Sequence, residues 1–113
     1  MDNTKINYIE FKAADLEAVK SFYGSCFGWE FVDYGPDYVA FTKASGLDGG
    51  FAKTDEPIAN GVLIVLYHED LVAIKAAVEE HGGSISQDIF SFPGGQRFHF
   101  IDPAGNELAI WSE

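Results

Sequence analysis

Three side chains in the sequence have the chemistry for proton transfer near neutral pH: His99, Glu10 and Glu107. An imidazole titrates close to neutral pH, so His99 could act as a general acid or base if Glu10 or Glu107 oriented it. The structural alternative is that His99 is a hydrogen-bonded strand residue at a subunit contact. Glu10 lies inside an apolar strand. Because an unpaired buried charge is costly, we expect its carboxylate to bond to Lys12, Arg97 or water if it has only a structural role.

A second group of residues is typical of a site for a small, flat molecule. Aromatic rings can stack on such a ligand, and a few polar groups among them can orient it. The candidate ligand-binding residues are Tyr8, Tyr38, Tyr67, Arg97 and Trp111. The same rings could instead fill the cavity or line a dimer contact, and the sequence leaves these alternatives open.

The segment Phe98–Trp111 is a hairpin near the end of the chain. Apolar and polar residues alternate on both sides of the turn Asp102–Asn106, where proline fixes φ and glycine and asparagine tolerate positive φ. On this pattern Phe98 packs against a helix, whereas Arg97 and His99 lie on the opposite face of the sheet.

The elements that position these residues occur twice. A strand precedes a helix capped by Asp15, and a second strand precedes a helix capped by Asp70. The segment Asp15–Lys20 aligns with Asp70–Lys75 at an offset of 55 residues, and three strands follow each helix. The sequence therefore predicts one domain, residues 1–113, made of two βαβββ repeats at 5–52 and 61–111 with a linker at 53–60.

This repeat predicts an α+β fold. Each short sheet has one face for its helix, and the other face must border a cavity or a partner. We expect the two repeats to curve into a half-open barrel with the helices outside. A chain of 113 residues is short for such a cavity, so we expect a homodimer to complete it.

Composition narrows the range of partners. The formal net charge of −11 disfavours nucleic acid and anionic membrane surfaces. No apolar run approaches the roughly 20 residues of a membrane span, and a single cysteine cannot form an internal disulfide, so we expect a cytoplasmic protein. That residue, Cys26, falls beside Phe22 and Phe27 on the inward stripe of a predicted helix, which predicts a buried, inert thiol.

Two motifs, FYGSCFGW at 22–29 and DPAGN at 102–106, together with the doubled βαβββ pattern, resemble the vicinal-oxygen-chelate superfamily. This superfamily includes glyoxalase I, the bleomycin-resistance and fosfomycin-resistance proteins and the extradiol dioxygenases. The segments YGPDYVAF at 34–41 and FSFPGGQRFHF at 90–100 are similar to a glyoxalase-like subgroup.

The resemblance also indicates where a metal would be held. Metal-using members take one ligand from the first strand and one from the last strand of each repeat. Those positions correspond here to Tyr8, Leu63, the segment Gly50–Ala52 and Ala109. A divalent ion needs several imidazole or carboxylate ligands, so we expect no metal at this site and no glyoxalase I activity by the usual metal mechanism.

The sequence therefore favours a glyoxalase- or bleomycin-resistance-like protein that binds a small organic molecule in a dimeric groove, without a cofactor. The first alternative is a lyase- or dioxygenase-type enzyme that uses Glu10, His99 and Glu107, either metal-free or with one divalent metal at a noncanonical site. The second alternative is a degenerate module, its groove filled by side chains, that serves protein association.

Overall fold

The computed structural model describes residues 2–41, 45–57, 61–103 and 105–113. Within them it contains two helices and eight strands. They are β1 (Ile6–Ala13), α1 (Leu16–Phe27), β2 (Phe31–Asp33), β3 (Tyr38–Phe41), β4 (Gly49–Lys53), β5 (Val62–Tyr67), α2 (Leu71–Glu80), β6 (Ser84–Phe92), β7 (Gly95–Ile101) and β8 (Glu107–Ser112). The α+β fold class and the two βαβββ repeats predicted from the sequence are confirmed.

The chain forms two compact units. The N-terminal unit comprises Tyr8–Leu63, and the C-terminal unit comprises Met1–Asn7 with Ile64–Glu113. The N-terminal unit has the strand order β2-β3-β4-β1, and the C-terminal unit has the order β5-β8-β7-β6. In each unit the first and last strands of the repeat pair in parallel, and the other pairs are antiparallel. The predicted linker 53–60 overlaps the end of β4, and residues 58–60 lie outside the described residues.

Both helices begin at the aspartates predicted to cap them. The carboxylate of Asp15 accepts a hydrogen bond from the backbone N–H of Ala18 at 3.1 Å, and Asp70 accepts one from Ala73 at 3.1 Å. Helix α1 ends at Gly28, whose φ of +73° is the left-handed conformation that glycine adopts without strain. The aspartates that align the two repeats in sequence therefore cap the N-termini of the two helices.

Each helix covers one face of its own sheet. In the N-terminal unit Leu16, Val19 and Tyr23 pack on a core that contains Val39, Phe41 and Phe51. In the C-terminal unit Ile74 and Val78 pack on Leu71, Phe98 and Ile110. The alternate side chains of each strand therefore lie on the sheet face opposite the helix. Within the described residues, neither helix is long and apolar enough to cross a membrane.

The prediction that Cys26 is buried was wrong. The thiol is exposed, as are the neighbouring rings of Phe22 and Phe27, at 54% and 63%. The side chains of α1 that reach the sheet are Leu16, Val19 and Tyr23, and the last turn of the helix carries its apolar residues away from that contact. Helical spacing alone does not tell how far a helix extends over its sheet.

Candidate functional site

The strand register defines which side chains share the face of the C-terminal sheet opposite α2. Arg97 lies across from Trp111, and His99 lies across from Ala109, in the antiparallel pair β7–β8. On the other side of β8, Tyr67 is in register with Trp111. Because Phe98, the residue between Arg97 and His99, is fully buried in the core with α2, its two neighbours point the other way. The predicted orientation of Arg97 and His99 is confirmed.

The guanidinium of Arg97 lies against two aromatic rings. Its guanidinium carbon lies 5.4 Å from the ring centroid of Phe90 and 5.7 Å from that of Phe92. The centroids of Phe92 and Trp111 are 6.3 Å apart. We call Arg97, Phe90, Phe92 and Trp111 the arginine–aromatic cluster. These distances are typical of favourable cation–π contacts.

The indole of Trp111 is held on two sides. Its Nε1–H donates a hydrogen bond to Oδ1 of Asn7 at 2.7 Å, and the ring of Tyr67 meets it edge-on at 5.2 Å. Tyr67 is itself buried, with 8% of its surface exposed. Tyr67 therefore supports the cluster from beside Trp111.

The two phenylalanines reach Arg97 because strand β6 is irregular. Its register with β7 shifts between Ile85 and Gln87 and again between Gln87 and Phe90. After the second shift Phe90 pairs with Arg97, while Ile89 packs against the core beneath α2. A β-bulge re-aims the side chains that follow it. The irregularity thus aligns Phe90 with Arg97 and keeps the adjacent residue in the core.

His99 and Glu107 are in direct contact in this unit. Nδ1 of His99 lies 3.1 Å from Oε2 of Glu107, and the same carboxylate oxygen accepts a hydrogen bond from Ser86 Oγ at 3.2 Å. Only 5% of the surface of His99 is exposed, and the ring of Phe90 lies 5.7 Å away. Glu10 and Glu107 were the predicted partners of His99, and the carboxylate in contact with its Nδ1 is that of Glu107. The contact can orient the imidazole.

The N-terminal unit brings together Tyr8, Tyr38 and Glu10, which we call the tyrosine–glutamate cluster. The phenolic oxygens of Tyr8 and Tyr38 are 2.6 Å apart, and Tyr38 also hydrogen bonds to Glu10. Glu10 is buried, with 8% of its surface exposed. Tyr38 is therefore a partner of the buried Glu10 carboxylate.

The environment of this cluster disfavours ionised phenols. Burial raises the pKa of Tyr38 far above its ordinary value of 10.0, and the negative charge of Glu10 acts in the same direction. Burial also raises the pKa of Tyr8, and its hydrogen bond with Tyr38 partly offsets that rise. Both phenols remain neutral at physiological pH.

Tyr38 occupies the space above Gly50, which is in register with Glu10 across β1 and β4. A Cβ atom placed on Gly50 would lie 2.5 Å from the phenolic oxygen of Tyr38 and 2.6 Å from a ring carbon. No side chain fits there unless the tyrosine moves. This is the region in which the family resemblance implies a metal ligand from the first repeat.

The residues at the remaining metal positions also do not fit a divalent ion. Leu63 has no donor atom, Tyr8 offers a neutral phenol, and Ala109 is fully buried between Val65 and His99 in register. Among the described residues no group of three His, Cys, Asp or Glu side chains is placed to hold a metal. The donor set of the family's metal site is therefore not present at these positions.

An open depression of about 610 Å³ lies near the start of α1, within the N-terminal unit. Its lining includes Asp15, Glu17, Asp33 and Lys53. None of the candidate residues from the sequence borders it. It combines a helix terminus with surface charges and has no feature that selects a ligand.

Sequence reasoning missed Phe90, Phe92 and Asn7 as members of the site. Both phenylalanines lie in β6, and the double register shift in that strand determines which face they take. Asn7 is 104 positions from Trp111 in sequence, and no local signal connects them.

The fold and the faces described above define a class of α+β proteins built from paired βαβββ units. The chain belongs to the Glyoxalase/Bleomycin resistance protein/Dioxygenase superfamily, whose sequence profile matches residues 5–110. The resemblance inferred from the two motifs is thereby confirmed.

Solved structures with the same fold include proteins with different functions. A Mn(II)-bound glyoxalase from Novosphingobium aromaticivorans is 24% identical, with a TM-score of 0.70 over 97% of this chain and 39% of its own. A superfamily member from Vibrio splendidus 12B01 is 21% identical, with a TM-score of 0.70 over 94% of this chain and 97% of its own. Methylmalonyl-CoA epimerase from Streptomyces coelicolor is 17% identical, with a TM-score of 0.76 over 99% of both chains. At these identities the likeness establishes the fold alone, and no curated protein matches the chain.

Proposed function

We propose that this protein binds a small organic molecule at the arginine–aromatic cluster, without the metal used by other members of its superfamily. One observation carries the proposal: Arg97 lies 5.4 Å and 5.7 Å from the ring centroids of Phe90 and Phe92 on the sheet face opposite α2. Apolar rings around a single polar group are typical of small-molecule sites, because the rings supply contact area and the polar group supplies orientation.

The surroundings support a preformed site. The indole of Trp111 is fixed by Asn7 at 2.7 Å, and Phe90 is set in register with Arg97 by the bulge in β6. Side chains that are already ordered lose less entropy when a ligand arrives.

The test is binding of small aromatic fragments observed by NMR. The protein has two tryptophans, and their indole N–H signals report on the two units separately: Trp111 in the cluster and Trp29 in the N-terminal core, stacked on Tyr23 at 4.7 Å. We expect fragments to shift the Trp111 signal, assigned with Trp111→Phe, and to leave the Trp29 signal unchanged. If no fragment shifts Trp111 at millimolar concentration, or if both signals move together, the proposal is wrong.

A second candidate function is acid–base catalysis by His99, and the contact of His99 Nδ1 with Glu107 Oε2 at 3.1 Å favours it. A carboxylate at Nδ1 orients an imidazole and stabilises its protonated form, which suits removal of a proton from a bound carbon acid. Glu10 is not given a role in this proton transfer, because it hydrogen bonds to Tyr38 in the N-terminal unit.

Proton transfer can be observed without a known product. Carbon acids that bind the protein would be incubated in D2O, and loss of the signal of the acidic C–H would be followed by NMR. We expect exchange with the natural protein, its loss in His99→Gln, and a weaker effect in Glu107→Gln. Binding without exchange would leave the protein a binding module.

We also propose that the functional form is a homodimer. The support is the amount of apolar surface a single chain leaves exposed: Ile6, Phe22, Phe27, Val32, Tyr34, Leu47, Val62 and Val72 are 45% to 73% exposed. Sedimentation equilibrium at micromolar concentration should give twice the mass of 12.4 kDa. A single species of 12.4 kDa would contradict the dimer.

A further inference from the structure

We propose that the ligand of the arginine–aromatic cluster is an organic anion, a carboxylate attached to a flat conjugated group, and that Arg97 binds its carboxylate. This inference rests on the proposed function, because it names the chemical class that the same site selects. It follows from the charge of the protein, from the choice of arginine at position 97 and from the rings around it.

The charge of the whole chain makes a positive group in a ligand site informative. The sequence has 18 acidic and 7 basic residues, and its net charge of −11 repels anions in general. A protein of this composition would hold a cation or a neutral molecule without any arginine at the site. A guanidinium placed among ligand-facing rings therefore favours selection of a negative group.

Two lysines of the chain form ion pairs that join a helix to a strand of its own unit. The ammonium of Lys20 pairs with Asp33 at 2.9 Å, and that of Lys75 pairs with Asp88 at 2.7 Å. These ion pairs connect each helix to a strand. The guanidinium of Arg97 lies over two phenylalanine rings, an environment that an arginine enters more readily than a lysine because its guanidinium is planar and weakly hydrated.

The guanidinium geometry matches a carboxylate. Five N–H donors lie in one plane, so the group can donate two parallel hydrogen bonds to a carboxylate. The rings also displace water, and an ion pair is stronger where water is excluded. The carboxylate of Glu107 on the same face already accepts hydrogen bonds from Ser86 and contacts His99.

The aromatic members define the other end of the ligand. Phe90 and Phe92 lie against Arg97, and Trp111 lies beside Phe92 and across from Arg97 in the strand register. A flat conjugated group attached to the carboxylate would lie against these rings. Stacking of a flat ring on these side chains adds apolar burial to the ion pair. An aliphatic carboxylate such as acetate would gain the ion pair alone.

The test compares benzoate with benzamide, which has the same shape and no charge, at pH 7 on the Trp111 indole signal. We expect benzoate to bind at least about tenfold more tightly than benzamide, because hydrogen bonds between charged groups are roughly twice as strong as neutral ones. Arg97→Gln should abolish that difference. Arg97→Lys keeps the charge but not the planar fork, and should lose most of it. Lys5→Gln removes an exposed positive charge elsewhere in the same unit and should change neither affinity.

The possible outcomes separate this inference from the proposed function. If benzamide binds as tightly as benzoate, or if Arg97→Gln keeps the preference, the ligand is not an anion bound by Arg97, although the site stands. If only positively charged fragments shift Trp111, the ligand class is wrong and the binding site is again retained. If no fragment of any charge binds, both proposals fall. Should Arg97→Gln not fold, as judged by its amide spectrum, Arg97→Lys decides alone.

Discussion

The two units have the same strand arrangement, but they carry different kinds of side chain on the sheet face opposite the helix. In the N-terminal unit Tyr38 lies across from Ala52, and in the C-terminal unit Arg97 lies across from Trp111 at the corresponding place in the register. Gly50, in register with Ala40, corresponds in the same way to Ala109, in register with His99. The repeat thus offers a matched pair of sites within one chain.

Under the proposed function, the same architecture is closed in one copy and binds a ligand in the other. In the N-terminal unit Tyr38 covers Gly50, and its hydroxyl is hydrogen bonded to that of Tyr8. The polar groups on that face therefore bond to each other. In the C-terminal unit the last strand carries a large ring, Trp111, and the bulge in β6 adds Phe90 beside a permanent positive charge. The substitutions below are expected to affect stability in the first unit and binding in the second.

A large effect on stability should come from Gly50→Ala. The new Cβ would lie 2.5 Å from the oxygen of Tyr38, so the ring must move and its contact with Tyr8 is lost. Overpacking of this kind costs about 1–3 kcal/mol, measured by urea unfolding. Gly61→Ala is the control, since nothing lies within 4 Å of its added Cβ.

A double-mutant cycle shows whether Tyr38 is the cause. In a Tyr38→Val background the ring is absent, so Gly50→Ala should cost much less than it does alone. Equal costs in the two backgrounds would mean that Tyr38 does not close this face and that the contrast between the units is wrong.

Removing a tyrosine hydroxyl should matter in the first unit and hardly at all in the second. The hydroxyl of Tyr38 is 2.6 Å from Tyr8 and also bonds the buried Glu10, so Tyr38→Phe should lower the free energy of unfolding by about 1–3 kcal/mol. The hydroxyl of Tyr67 lies 3.5 Å from Glu113, a weak contact, so Tyr67→Phe should cost under about 0.5 kcal/mol. Similar losses in the two variants would show that the N-terminal cluster has no special role.

The same cluster should make the protein sensitive to alkali. In the unfolded chain Tyr8 and Tyr38 ionise near pH 10.0, whereas burial holds both pKa values higher in the folded state. The stabilisation is therefore complete below pH 10 and declines as the pH rises above it, by up to about 1.4 kcal/mol per pH unit for each phenol. Urea unfolding from pH 9 to 11 should show a shallower decline in Tyr38→Phe, and an unchanged decline would contradict the assignment.

Much of this contrast could be predicted from the sequence, and the part that could not has a physical cause. Period-two alternation placed Arg97 and His99 opposite Phe98, because side chains in a strand alternate between faces. The same rule cannot place Phe90, since the register shifts in β6 change the face. That Tyr38 covers Gly50 and that Asn7 holds Trp111 depend on rotamers and on contacts between distant segments, which leave no periodic signal.

The smallest effect should come from the ion pairs that join each helix to its sheet. Lys75 holds Asp88 at 2.7 Å, which together with the Ile89 N–H lowers the pKa of that carboxyl, and Asp88 lies at the irregular part of β6 just before Phe90. Lys20 holds Asp33 at 2.9 Å in the other unit. Exposed pairs contribute little to stability, so Lys75→Met should act mainly by loosening the bulge and should weaken benzoate binding about twofold.

Lys20→Met is the matched control, because it removes the same charge at the corresponding position of the first repeat. Its benzoate affinity should equal that of the natural protein, and the difference between the two variants should shrink in 1 M salt, where exposed ion pairs are screened. If the two variants bind benzoate equally, Lys75 does not position Phe90. The register of β6 would then depend on the packing of Ile89 and Phe98 beneath α2.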